Sequence, residues 1–321
     1  MDAAKKVVLV ISVLLIAPPR YNAGPRKQEP DQPIRLGTEL IVLDAQVLNK
    51  KTGQPVAGLA KEDFALTEDG AKQQITNFSF DKSPLSIVLL LDVSGSVQLV
   101  IDQIRDRGLM ALERLKPEDE VAVVVFGESL ELTQEFTRDR KLVAKKIGEI
   151  GRLAPAMRSA TFIDEAVYQS AAHLLKSSGT ATSRVIIAVT DNIQSPNPAG
   201  HTRTEALERE YESGTTVCGL IVGDFDLRAG VYKQRGLRID DPIGVFASET
   251  GGLFVKTGKE DASARLGDLI DRLRTRYSFG YVSTNQKRDG KFRRIKLKAS
   301  DSVDKREGGI NVVTRRGYYA K

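Results

Sequence analysis

From residue 85 to about residue 276, short apolar runs alternate with segments whose apolar residues recur every three to four positions. The runs are Ser86–Asp92, Val121–Gly127, Val185–Asp191, Thr216–Gly223 and Leu253–Lys256. Continuous runs rich in Val, Ile and Leu read as strands buried on both faces. Helical spacing occupies Val97–Leu115, Asp139–Ile150, Phe162–Lys176, Thr204–Ser213, Ile243–Thr250 and Ala262–Tyr277. In the third of these, Ile163, Ala166, Val167, Ala171, Leu174 and Leu175 make one apolar face. This alternation predicts a mainly parallel sheet with helices on both sides. Leu130–Phe136 alternates apolar and polar residues directly after a predicted strand, which suits an antiparallel edge.

The flanking regions carry a different pattern. Leu40–Leu48, Phe64–Thr67 and Ile75–Phe80 read as strands on the amino-terminal side. Between the second and third lies Glu68-Asp69-Gly70-Ala71, and Asp-Gly between two such runs signals a hairpin. Tyr277–Ser283, Phe292–Ala299 and Ile310–Val313 read as strands on the carboxyl-terminal side. Neither β segment is large enough to bury a core alone. Both are therefore expected to pack together as one small sandwich with the α/β part inserted between them. The expected division is residues 1–17 as an export signal or anchor, 18–34 as a linker, and 35–82 as the first sandwich segment. Residues 83–276 then form the α/β domain and 277–321 the second sandwich segment.

Lys5 and Lys6 precede an apolar stretch from Val7 to Ala17. That length suits the core of a signal peptide and falls short of the ~20 residues of a membrane-spanning helix. Pro18 after Ala17 makes a poor cleavage site there, so an uncleaved anchor stands as the alternative. The expected location is exported, whether secreted, periplasmic or held at the envelope. Residues 18–34 are rich in Pro, Arg, Gln and Asn and read as a linker.

Charge changes this picture little. The 321 residues are 41% apolar with a formal net charge of +6, and both signs are spread along the chain. That distribution argues against nucleic acid as a partner. The basic cluster from Lys287 to Lys298 includes Lys296 and Lys298 alternating with Ile295, Leu297 and Ala299, the pattern of a strand with one solvated face. Cys218, the single cysteine, permits no intramolecular disulfide and sits in an apolar run as a small hydrophobe. The two histidines, His173 and His201, lie in no pattern that names a catalytic partner. The long charged loop 224–242 has no motif that assigns it a role.

Chemistry concentrates where the first buried run ends, in Asp92-Val93-Ser94-Gly95-Ser96. A carboxylate and two hydroxyls there fall in a strand-to-helix turn at the carboxyl end of a parallel strand, where open α/β sheets bind ligands. Such residues are ordinary helix caps, and they also suit an oxygen cage for a hard divalent cation. Thr161 opens the helical segment from Phe162, and Asp191 ends the third buried run. Parallel strands present their carboxyl ends together. Asp92, Ser94, Ser96, Thr161 and Asp191 are therefore expected to converge from three loops.

In this order and spacing, the set resembles the metal-ion-dependent adhesion site of the von Willebrand factor type A family. The wider chain is similar to a bacterial branch of that family. The similarity rests on Val56–Phe64 and Glu68-Asp69-Gly70 near the start, and on Arg288–Arg293 and Arg315–Tyr319 near the end. The resemblance spans about residues 36–319. It implies a doubly wound, Rossmann-like α/β domain set in a small β-sandwich. It further implies that Ser94 and Ser96 bind Mg²⁺ directly, with Mn²⁺ or Ca²⁺ as alternatives. Thr161 would bind the ion directly or through water, and Asp92 and Asp191 would act mainly through water. A carboxylate on a protein or matrix-like ligand would complete the coordination. Asn192 stands where many relatives have Gly, and the loop before Thr161 lacks their usual glycines.

The function expected from this reading is a non-enzymatic, exported binding module. One alternative is a sandwich scaffold in which the metal only stabilises the fold. A second is a Mg²⁺-dependent phosphatase with Asp92 as nucleophile, but that chemistry calls for a second acid where Ser94 stands. Any membrane contact would run through the amino-terminal anchor. The oligomeric state is not specified by the sequence.

Overall fold

The computed structural model describes residues 40–80, 84–94, 97, 104, 110–153, 160–177, 183–223 and 240–321. The amino-terminal stretch expected to be an export signal, Ser96, most of Val97–Leu115 and residues 224–239 lie outside the described residues.

The α/β part is built on a six-stranded sheet. Its strands are β5 (Leu85–Asp92), β6 (Glu120–Phe126), β7 (Leu130–Thr137), β8 (Ser183–Thr190), β9 (Thr216–Val222) and β10 (Phe254–Thr257). Their spatial order is β10-β9-β8-β5-β6-β7. Every neighbouring pair is parallel except β6 with β7, which is antiparallel with register shifts. All eight residues of β5 are buried because both faces of the sheet are covered. Ile87, Leu89 and Leu91 pack into one core, while Val88 and Leu90 pack into the opposite one. This two-sided burial explains the unbroken apolar runs in the sequence.

Helices α1 (Arg140–Leu153), α2 (Ile163–Leu174), α3 (Arg203–Ser213), α4 (Pro242–Thr250) and α5 (Ala262–Leu273) accompany this sheet. α3 starts with a capping box, in which Thr202 accepts from the Glu205 N–H and the Glu205 carboxylate accepts from the Thr202 N–H. It ends at Gly214, in the left-handed conformation at φ 66°. The helix predicted to reach Tyr277 stops at Leu273, and strand β11 begins at Arg276. Tyr277, Phe279 and Tyr281 alternate with Ser278 and Gly280, a period of two that sends the three rings into the sandwich core.

The remaining strands form two four-stranded antiparallel sheets. One has the order β13-β1-β11-β4, from Ile310–Thr314, Leu40–Asn49, Arg276–Val282 and Ile75–Phe80. The other has the order β14-β12-β2-β3, from Gly317–Tyr319, Phe292–Ala299, Phe64–Glu68 and Ala71–Gln73. Early and late segments interleave in both, with Leu43 opposite Phe279 and Leu66 opposite Leu297. Their inner faces share one core, where the Phe64 ring meets Phe279 edge-on at 4.8 Å between centroids. The Asp69-Gly70 hairpin has φ of 48° and 87°, positive at both turn residues as a tight primed turn requires. Lys296 and Lys298 face solvent while Ile295 and Leu297 are buried. A short helix that periodicity does not predict, α6 (Asp301–Arg306), buries only Val303. No helix among the described residues is long and apolar enough to cross a membrane.

The sandwich is joined to the amino-end side of the parallel sheet. Ser183, at the start of β8, donates to the Asp44 carboxylate at 2.5 Å, and Gln46 donates to the Arg272 carbonyl at 3.1 Å. Arg276 donates to the Gly251 carbonyl at 3.0 Å, and the Arg316 N–H donates to the Glu249 carbonyl at 3.0 Å. Gly251 caps α4 at φ 75°, and a Cβ there would lie 2.4 Å from the Thr314 carbonyl carbon. A side chain is therefore excluded both by conformation and by the close approach of the sandwich.

Candidate metal centre

Strand order locates the place where a site can form. The chain winds outward from β5 to β6 and β7, then returns to place β8 on the other side of β5. β5 and β8 therefore flank the topological switch point, where the connections diverge and leave a crevice at the carboxyl ends. Asp92 is the last residue of β5, and Asp191 directly follows β8.

Asp92 is fully buried. One carboxylate oxygen accepts from the Ser94 N–H at 2.8 Å, which turns the chain sharply after the strand. The other accepts from the Thr190 hydroxyl at 2.6 Å, across to the neighbouring strand. Burial raises the Asp92 carboxyl to about 6, against the Thr190 and Ser94 hydrogen bonds that favour its anion, and the nearby Asp191 charge adds to the rise. Thr161, Ser94 and Asp191 are also buried, at 6%, 7% and 4% exposure.

The three loops hold one another in place. The Thr161 N–H donates to the Ser195 hydroxyl at 3.1 Å, and the Ser195 N–H returns a bond to the Thr161 carbonyl at 2.9 Å. Helix α2 has no side-chain cap of its own. The Gln194 side-chain oxygen accepts from Ile163 and Asp164 at 2.8 and 3.3 Å, satisfying amides that the first helical turn leaves open. The Phe162 N–H donates to the Gly127 carbonyl at 3.1 Å, tying this loop to the end of β6.

Asn192 sits at φ 63°, a conformation that asparagine tolerates better than other non-glycine residues. Its amide donates to Asp241 at 2.6 Å and its oxygen accepts from the Ile243 N–H at 3.1 Å, clamping the β8 loop to the start of α4. Arg203 donates to both Asp164 and Asp240, with contacts of 2.6 to 3.2 Å. Those hydrogen bonds raise its hold on the proton despite its burial. Glu165 accepts from the His201 backbone N–H at 2.8 Å, and its carboxylate lies 2.8 Å from the His201 ring nitrogen. His201 stacks on Tyr168, so the histidine has a packing role.

Asp92, Ser94, Thr161 and Asp191 thus lie on loops gathered at one end of the sheet, whereas Ser96 is outside the described residues. Thr190, Gln194, Ser195 and the Asn192–Asp241 and Arg203–Asp164 pairs were not visible in the sequence pattern. Only Asn192, a non-glycine residue after a buried strand and an acid, gave a local signal. Among the described residues, no group of three or more His, Cys, Asp or Glu side chains is placed to hold a metal. The donors present are two carboxylates with hydroxyls, which suit a hard, oxygen-preferring cation rather than a nitrogen- or sulfur-ligated one. Both Asp92 oxygens already accept hydrogen bonds, which suits contact with an ion through water.

A doubly wound α/β domain with hydroxyl and carboxylate side chains at its switch point defines the class. Residues 87–194 match the family model of the von Willebrand factor type A domain. That match lies within the α/β part, and the class it names is known for metal-dependent protein binding. No curated protein matches the sequence.

Similar solved structures include the conserved hypothetical protein BatB from Bacteroides thetaiotaomicron, at 19% identity and TM-score 0.44 over 59% of this chain and 98% of that one. Another is proximal thread matrix protein 1 from the mussel byssus with a zinc-occupied MIDAS motif, at 17% identity and TM-score 0.45 over 64% and 49%. A third is von Willebrand factor type A from Catenulispora acidiphila, at 10% identity and TM-score 0.48 over 88% and 73%. At these TM-scores, the likenesses add nothing to the fold that strand order and register define.

Proposed function

We propose that this protein is a non-enzymatic binding module that captures an acidic protein or matrix ligand through a divalent cation. Asp92, Ser94, Ser96, Thr161 and Asp191 would hold the ion, with Mg²⁺ as the expected metal and Mn²⁺ or Ca²⁺ as substitutes. The observation that carries this reading is the placement of Asp92 and Asp191 at the ends of the two strands that flank the switch point. A cation there would offset the cost of keeping the Asp92 carboxylate buried beside the Asp191 charge. The ion would supply Lewis acidity toward a ligand carboxylate, and the protein side chains would fix its position. The Asn192–Asp241 clamp and the Gln194 cap would keep the loops from rearranging when a ligand arrives.

Non-enzymatic capture is favoured because Ser94 occupies the position where a phosphoryl-transfer aspartate would need its partner acid. Export or envelope attachment is proposed from the Lys5-Lys6 and Val7–Ala17 pattern. The test is isothermal titration of Mg²⁺ and Mn²⁺ into the chelated full chain, alongside Asp191→Ala and Ser94→Ala/Ser96→Ala. Saturable binding lost in both variants supports the reading. Binding that survives in both would move the ion elsewhere.

A further inference from the structure

At the opposite pole of the sheet, a cavity of about 590 Å³ lies between the starts of β8 and β9 and the outer face of β1. That volume falls in the range of small-molecule sites. Leu40 and Val42 stand at it with 46% and 50% exposure, and Tyr211, Tyr318 and Tyr319 contribute aromatic walls. Arg315 lines the same space. One guanidinium nitrogen donates to the Val42 carbonyl at 2.8 Å, while its buried Nε has no partner among the described residues. No carboxylate among the described residues is within ion-pair distance of it.

Among the described residues, the surrounding groups give this charge no direct ion pair. Asp44 accepts from Ser183 and acts on Arg315 only from a distance. Glu212 is engaged by Lys321 and Arg209. Arg184, also in the lining, donates to the Leu174 and Ser213 carbonyls at 3.2 and 3.0 Å, where it caps two helix ends and pairs with no carboxylate among the described residues. Burial holds the Arg315 guanidinium below the ordinary arginine range. A half-buried guanidinium whose inner nitrogen meets no acceptor is costly to keep dehydrated unless an anion completes it. An arginine fork matches carboxylate and phosphate oxygens in particular.

The geometry points to an anion-binding site in this cavity, taking the carboxylate or phosphate group of a small ligand on Arg315, with the ligand body against the tyrosines and Val42. The site is separate from the candidate metal centre, and its test is independent of that reading.

The probes are 4-fluorobenzoate and inorganic phosphate, with 4-fluorobenzamide as the neutral control. Binding to the full chain is followed by fluorine NMR for the two aromatic probes and by calorimetry for phosphate. Saturable one-to-one binding of either anion, absent for the amide, is expected. The responding probe then tells a carboxylate ligand from a phosphate one. Arg315→Gln should weaken binding by about tenfold or more, as for loss of a charged hydrogen bond. Arg315 also bonds the sandwich backbone, so a second variant guards against misfolding. Val42→Glu places a carboxylate from an exposed position toward the guanidinium, and it should block the site in a protein that stays folded. No saturable binding of either anion, or binding unchanged in the folded Val42→Glu variant, overturns the proposal.

Discussion

The two ends of the parallel sheet solve opposite problems. At the carboxyl end, Asp92 is buried near a second carboxylate and accepts hydrogen bonds from neutral donors. At the amino end, Arg315 is half-buried, and its guanidinium has a single carbonyl partner among the described residues. The carboxyl end is organised by loops that bond one another through side-chain and backbone hydrogen bonds. The amino end is organised by the attached sandwich, through backbone contacts at Gly251 and Arg316 and the Ser183–Asp44 bond. Fixed geometry thus comes from local polar bonding at one pole and from docking of a second layer at the other.

The largest effect is expected at the docked pole. Gly251→Val forces a β-branched residue into a left-handed cap and against Thr314, costing about 3 kcal/mol or more by strain and overpacking. Urea unfolding measures it, and a loss under about 1 kcal/mol would show that the sandwich yields at that contact. At the other pole, saturating Mg²⁺ at about a hundredfold above its dissociation constant should stabilise the protein by about 2.7 kcal/mol. Asp191→Ala should erase that gain while leaving the chelated protein folded, as read by thermal unfolding with and without chelator.

A subtler change separates loop shape from loop clamping. Asn192→Gly keeps the backbone at φ 63° accessible but removes the bonds to Asp241 and Ile243. The expected loss is about 1 kcal/mol, with Mg²⁺ affinity weakened several-fold because the β8 loop is no longer held. Unaltered Mg²⁺ affinity would show that the clamp serves stability alone.

The buried flank between the poles offers a control. Glu210 on α3 is fully buried, and neither carboxylate oxygen has a partner among the described residues. Burial raises its carboxyl well above the ordinary 4.5. Its proton is held more tightly in the folded state, so its contribution is most favourable below 4.5. That contribution is lost as pH rises toward the folded value. Glu210→Met should therefore stabilise the protein by about 1–3 kcal/mol near neutrality and by less at pH 4. A gain that does not grow with pH would mean that the carboxylate has a partner in solution.

Where burial repeats regularly along the chain, the sequence carried the architecture. Phe292–Ala299 is a strand with the expected bounds, because Ile295 and Leu297 face the core while Lys296 and Lys298 face water. The antiparallel edge at β7 was readable from its alternation, as was the Asp69-Gly70 hairpin from its turn residues. The end of α5 was misread because Tyr277 fits an apolar helical face as well as a strand that buries alternate rings. Short apolar runs do not separate the two periods. In the candidate site, Asp92 and Asp191 were legible because each terminates a buried strand. Gln194 and Ser195 were not, because their partners lie about thirty residues away along the chain, in another loop.

By itself, then, the sequence determined the layers: which segments are buried on two faces, which on one, and where acids and hydroxyls end a strand. Periodic burial is a local property, and each residue type reports it directly. Tertiary structure alone decided which loops meet, that Asn192 reaches Asp241, and that Arg315 lines a cavity with no carboxylate among the described residues at ion-pair distance from it. Those outcomes depend on strand order and on docking between layers, which bring together residues that no spacing along the chain relates.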